Sequence, residues 1–174
     1  MASEDYSKMK NFMKSVIDKI FIGQNGVRVG VMQFSSVQRL EFQLNVYYSK
    51  EELQRAIDNI QQMDGGTLTG EAIRQVSQYF DPTNGGRPDL RQSLVLITDG
   101  EAQDEVSRPA EALRAKGVLV YAIGVVNADS AQLLEITGSS DRIYSERDFD
   151  ALKDLESKMV VDLCEPERGE ARLL

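Results

Sequence analysis

A doubly wound α/β domain, with a mostly parallel sheet, helices on both faces and one antiparallel edge strand, is what this sequence predicts. Three observations carry that prediction. Two unbroken apolar runs, Leu94 to Thr98 and Val118 to Val125, have the branched, non-alternating character of strands buried on both faces of a parallel sheet. Segments with apolar residues at three- and four-residue spacing stand between the strand-like runs, and strands that alternate with helices give a doubly wound architecture. A third strand-like run, Val37 to Leu44, instead alternates Leu40, Phe42 and Leu44 with Glu41 and Gln43, the pattern of an edge strand with one solvated face.

Taken in order, Ser3 is placed to cap a helix from about Glu4 to Ile22, with two acids in its first turn and Tyr6, Met9, Met13, Val16 and Ile20 on one face. Gly23 and Asn25-Gly26 turn the chain into a strand from Val27 to Phe34, in which Gly30 permits close approach of a neighbour. Ser35-Ser36 is short enough for a hairpin into the alternating strand. Ser49 caps the next helix, whose apolar face is Leu53, Ile57 and Ile60. The glycine-rich stretch Asp64 to Gly70 opens into a helix from about Glu71 to Phe80, and residues 81 to 89 read as a surface loop.

The run at Leu94 is expected to be the central strand. Beyond it lie an acidic loop from Glu101 to Glu105, a helix with Pro109 near its start and Lys116-Gly117 at its stop, and the second buried strand. A short helix near Ser130 to Ile136, a short strand near Arg142 to Tyr144 and a helix from Asp148 to Leu163 complete a single domain over 1–163. A polar tail covers 164–174.

Composition narrows the chemistry. The chain has 174 residues, 41% of them hydrophobic and 28% charged, enough for one domain with a real core. Its net charge of −8 opposes binding to nucleic acid or to anionic membrane surfaces. No window approaches the ~18 apolar residues of a spanning helix, and Met1 to Asp5 is acidic and polar where a signal peptide is basic and then apolar. There is no histidine, which removes the commonest general base and metal ligand and every Ser-His or Cys-His nucleophile. The one cysteine, Cys164, forms no disulfide within the chain; it is either a thiol without a role or half of a bridge to a partner elsewhere.

Two places draw attention as sites. Asp99 ends the Leu94 strand, where open α/β sheets bind their ligands, and is either a metal or phosphate group or the first residue of a turn with Gly100. Thr67 and Thr69 stand at a helix entrance, where the ordinary reading of either is a cap; the loop lacks the lysine and spacing of a phosphate-binding P-loop. Glu101, Asp104 and Glu105 read as solvated surface, and Arg168-Gly169-Glu170 as solvated tail.

Four stretches together resemble a family: Val27-Arg28-Val29-Gly30-Val31-Met32-Gln33-Phe34-Ser35, Gly65-Gly66-Thr67-Leu68-Thr69-Gly70, Leu94 to Gly100, and Gly117 to Gly124. They look like a von Willebrand factor type A domain of the collagen kind, nearest to the type VI collagen α chains, over about Glu4 to Leu163. The resemblance implies a Rossmann-like, non-catalytic protein-interaction module of the extracellular matrix. It also implies a metal-ion-dependent adhesion site at the carboxyl edge of the sheet, with Thr67 (Thr69 as the fallback) and Asp99 as ligands. The family's first strand, central in its sheet, and its Asp-x-Ser-x-Ser loop would lie immediately before Glu4, where this sequence has only Met1-Ala2-Ser3. The expectation is therefore a truncated domain with an incomplete metal site, Mg²⁺ binding in the millimolar range or worse, and an open sheet edge. The resemblance also makes Cys164 a disulfide candidate, to another chain or a segment outside this one. Partners are expected among extracellular matrix or cell-surface proteins. The alternatives are an intracellular scaffold of the same fold and, less favoured, a phosphoacceptor domain using Asp99; the latter lacks a lysine after the late strand, which ends Val125-Val126-Asn127.

Overall fold

A computed structural model of the protein describes residues 1–164. Helices α1 (Ser3–Asp18), α2 (Lys50–Asp58), α3 (Thr69–Val76), α4 (Ser107–Ala115), α5 (Ser130–Thr137) and α6 (Leu152–Cys164) surround five strands. β3 (Ser93–Thr98), β4 (Leu119–Val125) and β5 (Ile143–Glu146) form a parallel sheet in that order, whereas β1 (Val31–Phe34) and β2 (Gln38–Phe42) form a separate antiparallel pair. The doubly wound α/β fold and the antiparallel edge strand are as the sequence predicts.

The sheet is in two pieces. β1 and β3 share no hydrogen-bonded ladder, and a cavity of about 930 Å³ runs between them, lined by Met32 and Phe34 on one side and by Leu94, Val95, Leu96 and Ile97 on the other. This overturns the expectation that the Leu94 run is buried on both faces. Leu96 and Thr98 are buried, but Leu94, Val95 and Ile97 are only half-buried, because β3 has a strand partner on one side alone. The centre of the sheet is β4, paired on both sides, in which Val120, Ala122, Ile123 and Val125 are fully buried.

Helices hold the two pieces together. On one face, Phe12 and Val16 of α1 pack with Tyr121, Ile123 and Leu152, while Tyr6 and Ile17 of the same helix pack with Phe42, Leu53 and Ile57. The Tyr6 hydroxyl also donates to Gln33 Oε1 at 2.7 Å, and burial, with Glu41 nearby, pushes its pKa up to about 12. On the opposite face Ile73, Phe80, Leu96, Val106 and Val120 form one cluster, with Phe34 of β1 against it. Apolar packing across the cavity thus does the work that a strand ladder does elsewhere in the sheet.

Several local expectations are corrected. Ser3 is the first residue of α1 and not its cap; Ala2 takes the cap position with no side-chain bond. The helix stops at Asp18, four residues before Ile22, because Ile22 is drawn into a bridge with Val27. Pairing of the first strand begins at Val31 rather than Val27, and its register shifts between Val31 and Met32. Gly30 does permit close approach: a Cβ there would lie 3.0 Å from the Phe42 carbonyl oxygen. Ser49 caps α2 by accepting from Glu52 N at 3.2 Å, as predicted. The helix after the glycine-rich loop tightens into a 3₁₀ turn at Ser77–Phe80. The final helix opens with a 3₁₀ turn, Phe149–Ala151, capped by Asp148. No helix among the described residues is long and apolar enough to cross a membrane. Arg168-Gly169-Glu170 and the tail beyond Cys164 lie outside the described residues.

Candidate functional site

The carboxyl ends of β1 and β3 meet one loop, residues 64 to 70, and the polar edge is built there. After β1, Ser36 Oγ accepts from Gly66 N at 2.7 Å and the Ser35 carbonyl accepts from Leu68 N at 2.9 Å. After β3, Gln103 clasps Thr67 twice: its side-chain oxygen accepts from Thr67 N at 2.9 Å, and its own N–H donates to the Thr67 carbonyl at 2.9 Å. The loop is fixed from both half-sheets, although they do not pair with each other.

Neither threonine caps α3. Thr69 is its first residue and is 1% exposed, and Leu68 stands at the cap position without a side-chain bond. The helix start is satisfied by Asp104, whose Oδ1 accepts from Gly70 N at 2.9 Å and whose Oδ2 accepts from Glu71 N at 2.8 Å. A carboxylate accepting two orphan amides at the positive end of a helix is both a cap and a favourable charge–dipole contact. A side chain at Gly70 would collide with the Glu105 carbonyl, so the loop and helix can approach this closely only over a glycine. Asp104 is therefore structural, against the expectation of a solvated acid. Asp104→Ala is expected to cost about 1–2 kcal/mol, read as a lower urea midpoint at unchanged slope. A loss below about 0.3 kcal/mol in the same experiment would remove Asp104 as the cap.

Thr67 stands beside the residue that follows Asp99. The Thr67 Oγ1 lies 3.8 Å from the position of a Cβ on Gly100, the residue that follows Asp99. The Asp99 side chain is 36% exposed, with the amino group of Met1 at 3.9 Å from its Oδ2. Thr69, the fallback, is buried in the start of α3. Ser35 Oγ is also buried at this end and has no hydrogen-bond partner. One carboxylate and one or two hydroxyls do not satisfy Mg²⁺, which demands near-octahedral oxygen ligation. Among the described residues, no three Asp, Glu, His or Cys side chains gather into a metal-holding group.

Cys164 is exposed at the end of α6 as a free thiol, its pKa raised mainly by partial burial. Sequence reasoning missed Gln103, Ser36 and the capping role of Asp104. Asp104 acts on a helix start 34 residues away in the chain, so no local pattern marks it.

The family model of the von Willebrand factor type A domain matches residues 1–158. The human collagen alpha-6(VI) chain is 45% identical over 163 residues, covering 94% of this chain and 7% of that protein. The mouse collagen alpha-5(VI) chain is 47% identical over 160 residues, covering 92% of this chain and 6% of that protein. The chain thus spans a small fraction of the length of these relatives. Among solved structures, proximal thread matrix protein 1 from the mussel byssus, with zinc in its metal-ion-dependent adhesion motif, superposes with a TM-score of 0.84 at 29% identity, covering 93% of this chain and 43% of that one. The split α/β sheet, the glycine-rich loop beside Asp99 and these relatives give one conclusion: the chain belongs to the von Willebrand factor type A domain family.

Proposed function

We propose that this chain is a non-catalytic protein-interaction module of a collagen-like extracellular matrix protein, formed by residues 1–163 as one domain. The observation that carries the reading is the identity with collagen VI α chains along nearly the whole chain, joined to a site that holds no histidine and no nucleophile–base pair. Its metal edge is incomplete: Thr67 and Asp99 act as residual ligands, with Thr69 too buried to reach an ion without moving the start of α3. Partner binding therefore runs through surface contacts that need no metal. Cys164, exposed at the end of α6, is available for a disulfide with another chain in an oxidising matrix.

The test is binding of the purified chain to immobilised matrix glycoproteins and collagens, with and without a chelator, alongside a calorimetric Mg²⁺ and Mn²⁺ titration. Saturable binding that survives chelation is expected, with metal affinity in the millimolar range or weaker. Micromolar metal affinity that vanishes in Asp99→Asn would show a complete site and overturn the metal-independent reading. Failure to bind any matrix protein in either condition would overturn the module itself.

A further inference from the structure

At the amino end of the slot that separates β1 from β3, the loop between α1 and β1 carries an asparagine followed by a glycine, and so does the loop ahead of β3. An Asn-Gly pair is chemically labile, because glycine has no side chain to obstruct attack by its own nitrogen on the asparagine side-chain carbonyl. The two pairs, Asn25-Gly26 and Asn84-Gly85, are held in different ways.

Asn84 is tied down. Its Nδ2 donates to the Gln78 carbonyl at 3.0 Å, and it closes the 3₁₀ turn Pro82–Asn84. Gly85 is buried, with its N–H donating to the Pro82 carbonyl at 3.2 Å and Asn45 packed close against it. Turning the Asn84 carboxamide toward the Gly85 nitrogen would break the bond to Gln78 inside a packed turn. Asn25 has no such tether: it is exposed, and its side chain makes no hydrogen bond. The Gly26 N–H is held by one bond, to the Gly23 carbonyl at 3.1 Å.

The charges around Asn25 are positive. The Gln24 carbonyl before it accepts from Arg28 Nε at 3.0 Å and Arg87 Nη1 at 3.3 Å, and the Gly26 carbonyl after it accepts from Arg87 Nη2 at 2.6 Å. The arginine ion pairs among the described residues are those of Arg39, Arg74 and Arg147, so neither of these two has a carboxylate partner. Burial and the neighbouring Arg28 both work against the charge on Arg87.

We propose that Asn25 is a site of spontaneous deamidation, and that Arg28 and Arg87 favour the reaction and then hold the carboxylate it creates. The Gly26 nitrogen gives up its proton to a solvent base and bonds to Asn25 Cγ. The Cγ–Nδ2 bond then breaks, and the side-chain nitrogen takes up a proton and leaves as ammonia. Water opens the cyclic imide that remains, at either carbonyl, to leave aspartate or isoaspartate at position 25. The amide anion and the tetrahedral oxyanion are both negative, so the two guanidinium groups lower the barrier. The product carboxylate is the counterion that these arginines lack. Deamidation thus marks the age of the chain and moves the charge of this end from positive toward neutral. Isoaspartate also lengthens the main chain within a loop closed by Val27 N to the Phe21 carbonyl at 2.8 Å, and loosens it.

The test ages the folded chain at physiological temperature and mildly alkaline pH, then reads tryptic peptides by mass spectrometry against an unaged control. Asn25 falls in peptide 20–28 and Asn84 in peptide 75–91, because the bond between Arg87 and Pro88 resists trypsin. Deamidation is the mass gain of an amide exchanged for an acid, whereas isomerisation at Asp64-Gly65 or Asp99-Gly100 leaves mass unchanged. In the folded chain Asn25 is expected to react at least about tenfold faster than Asn84, and in guanidinium the two should agree within about threefold. Added salt should slow the folded-state reaction at Asn25 by at least about twofold and leave Asn84 unchanged. Equal rates in the folded chain, a faster Asn84, or an Asn25 that reacts only when the chain is unfolded would overturn the site. A rate at Asn25 indifferent to salt would overturn the part given to the arginines.

Discussion

Fusing a six-residue apolar strand that ends in Asp-x-Ser-x-Ser directly upstream of Met1 is expected to raise the melting temperature by about 10–20 °C and to create a Mg²⁺-dependent increment that the chain lacks. Six buried apolar side chains contribute about 12 kcal/mol and gain ladder bonds on both sides, which offset the roughly 1–1.5 kcal/mol per residue for ordering the strand and its Asp-x-Ser-x-Ser loop. For a domain of this size each kcal/mol moves the melting temperature by about 2–4 °C. The position of Met1 favours this arrangement: its amino group is 3.9 Å from Asp99, so a strand entering α1 from the slot would end beside Thr67 and Asp99. The added carboxylate and hydroxyls would then complete an oxygen set suited to a hard cation. Asp99→Asn in the fused chain should abolish the metal increment and leave the metal-free gain in place. A fused chain that melts no higher, with or without metal, would show that the cavity does not accept a strand.

Truncating Ile123 to alanine is expected to cost about 3–5 kcal/mol, whereas the same truncation at Ile97 should cost about 1 kcal/mol. Both are isoleucines in apolar runs of adjacent parallel strands, paired directly in register. They differ in surroundings. Ile123 is fully buried in the cluster of Phe12, Val16, Tyr144 and Leu152, so its removal leaves a cavity with walls on every side. Ile97 is half-buried and borders the slot, so fewer contacts are lost and the space left is continuous with the existing cavity. Equilibrium urea unfolding of the two variants measures the difference. Equal costs, or a larger one at Ile97, would make β3 the centre of the sheet after all.

Periodicity made most of the fold legible. The stripe of Leu53, Ile57 and Ile60, the alternation around Phe42 and the unbroken run at Val118 each specify an element from local pattern, because burial on one face or on two leaves a different spacing in the sequence. The family resemblance pairs Thr67 with Asp99, and in the fold Thr67 lies against Gly100, the residue after that aspartate. The hairpin and the parallel pairing of the Val118 run with the Leu94 run are also as expected; what failed was the central place given to the Leu94 run. The Leu94 run reads as central because its residues are suited to burial on both faces, yet in this chain its second neighbour is a cavity.

The sequence by itself determined the element types, the antiparallel hairpin, the family resemblance and the absence of histidine chemistry, all of which follow from residue identity and short-range spacing. The open sheet edge was expected from the resemblance; three-dimensional packing alone shows that β4 is the core strand, that Asp104 rather than a threonine caps α3, and that the gap has an orphaned serine at one end and arginines at the other. Those features depend on contacts between residues far apart in the chain, and a strand's burial is set by what pairs with it as much as by its own side chains.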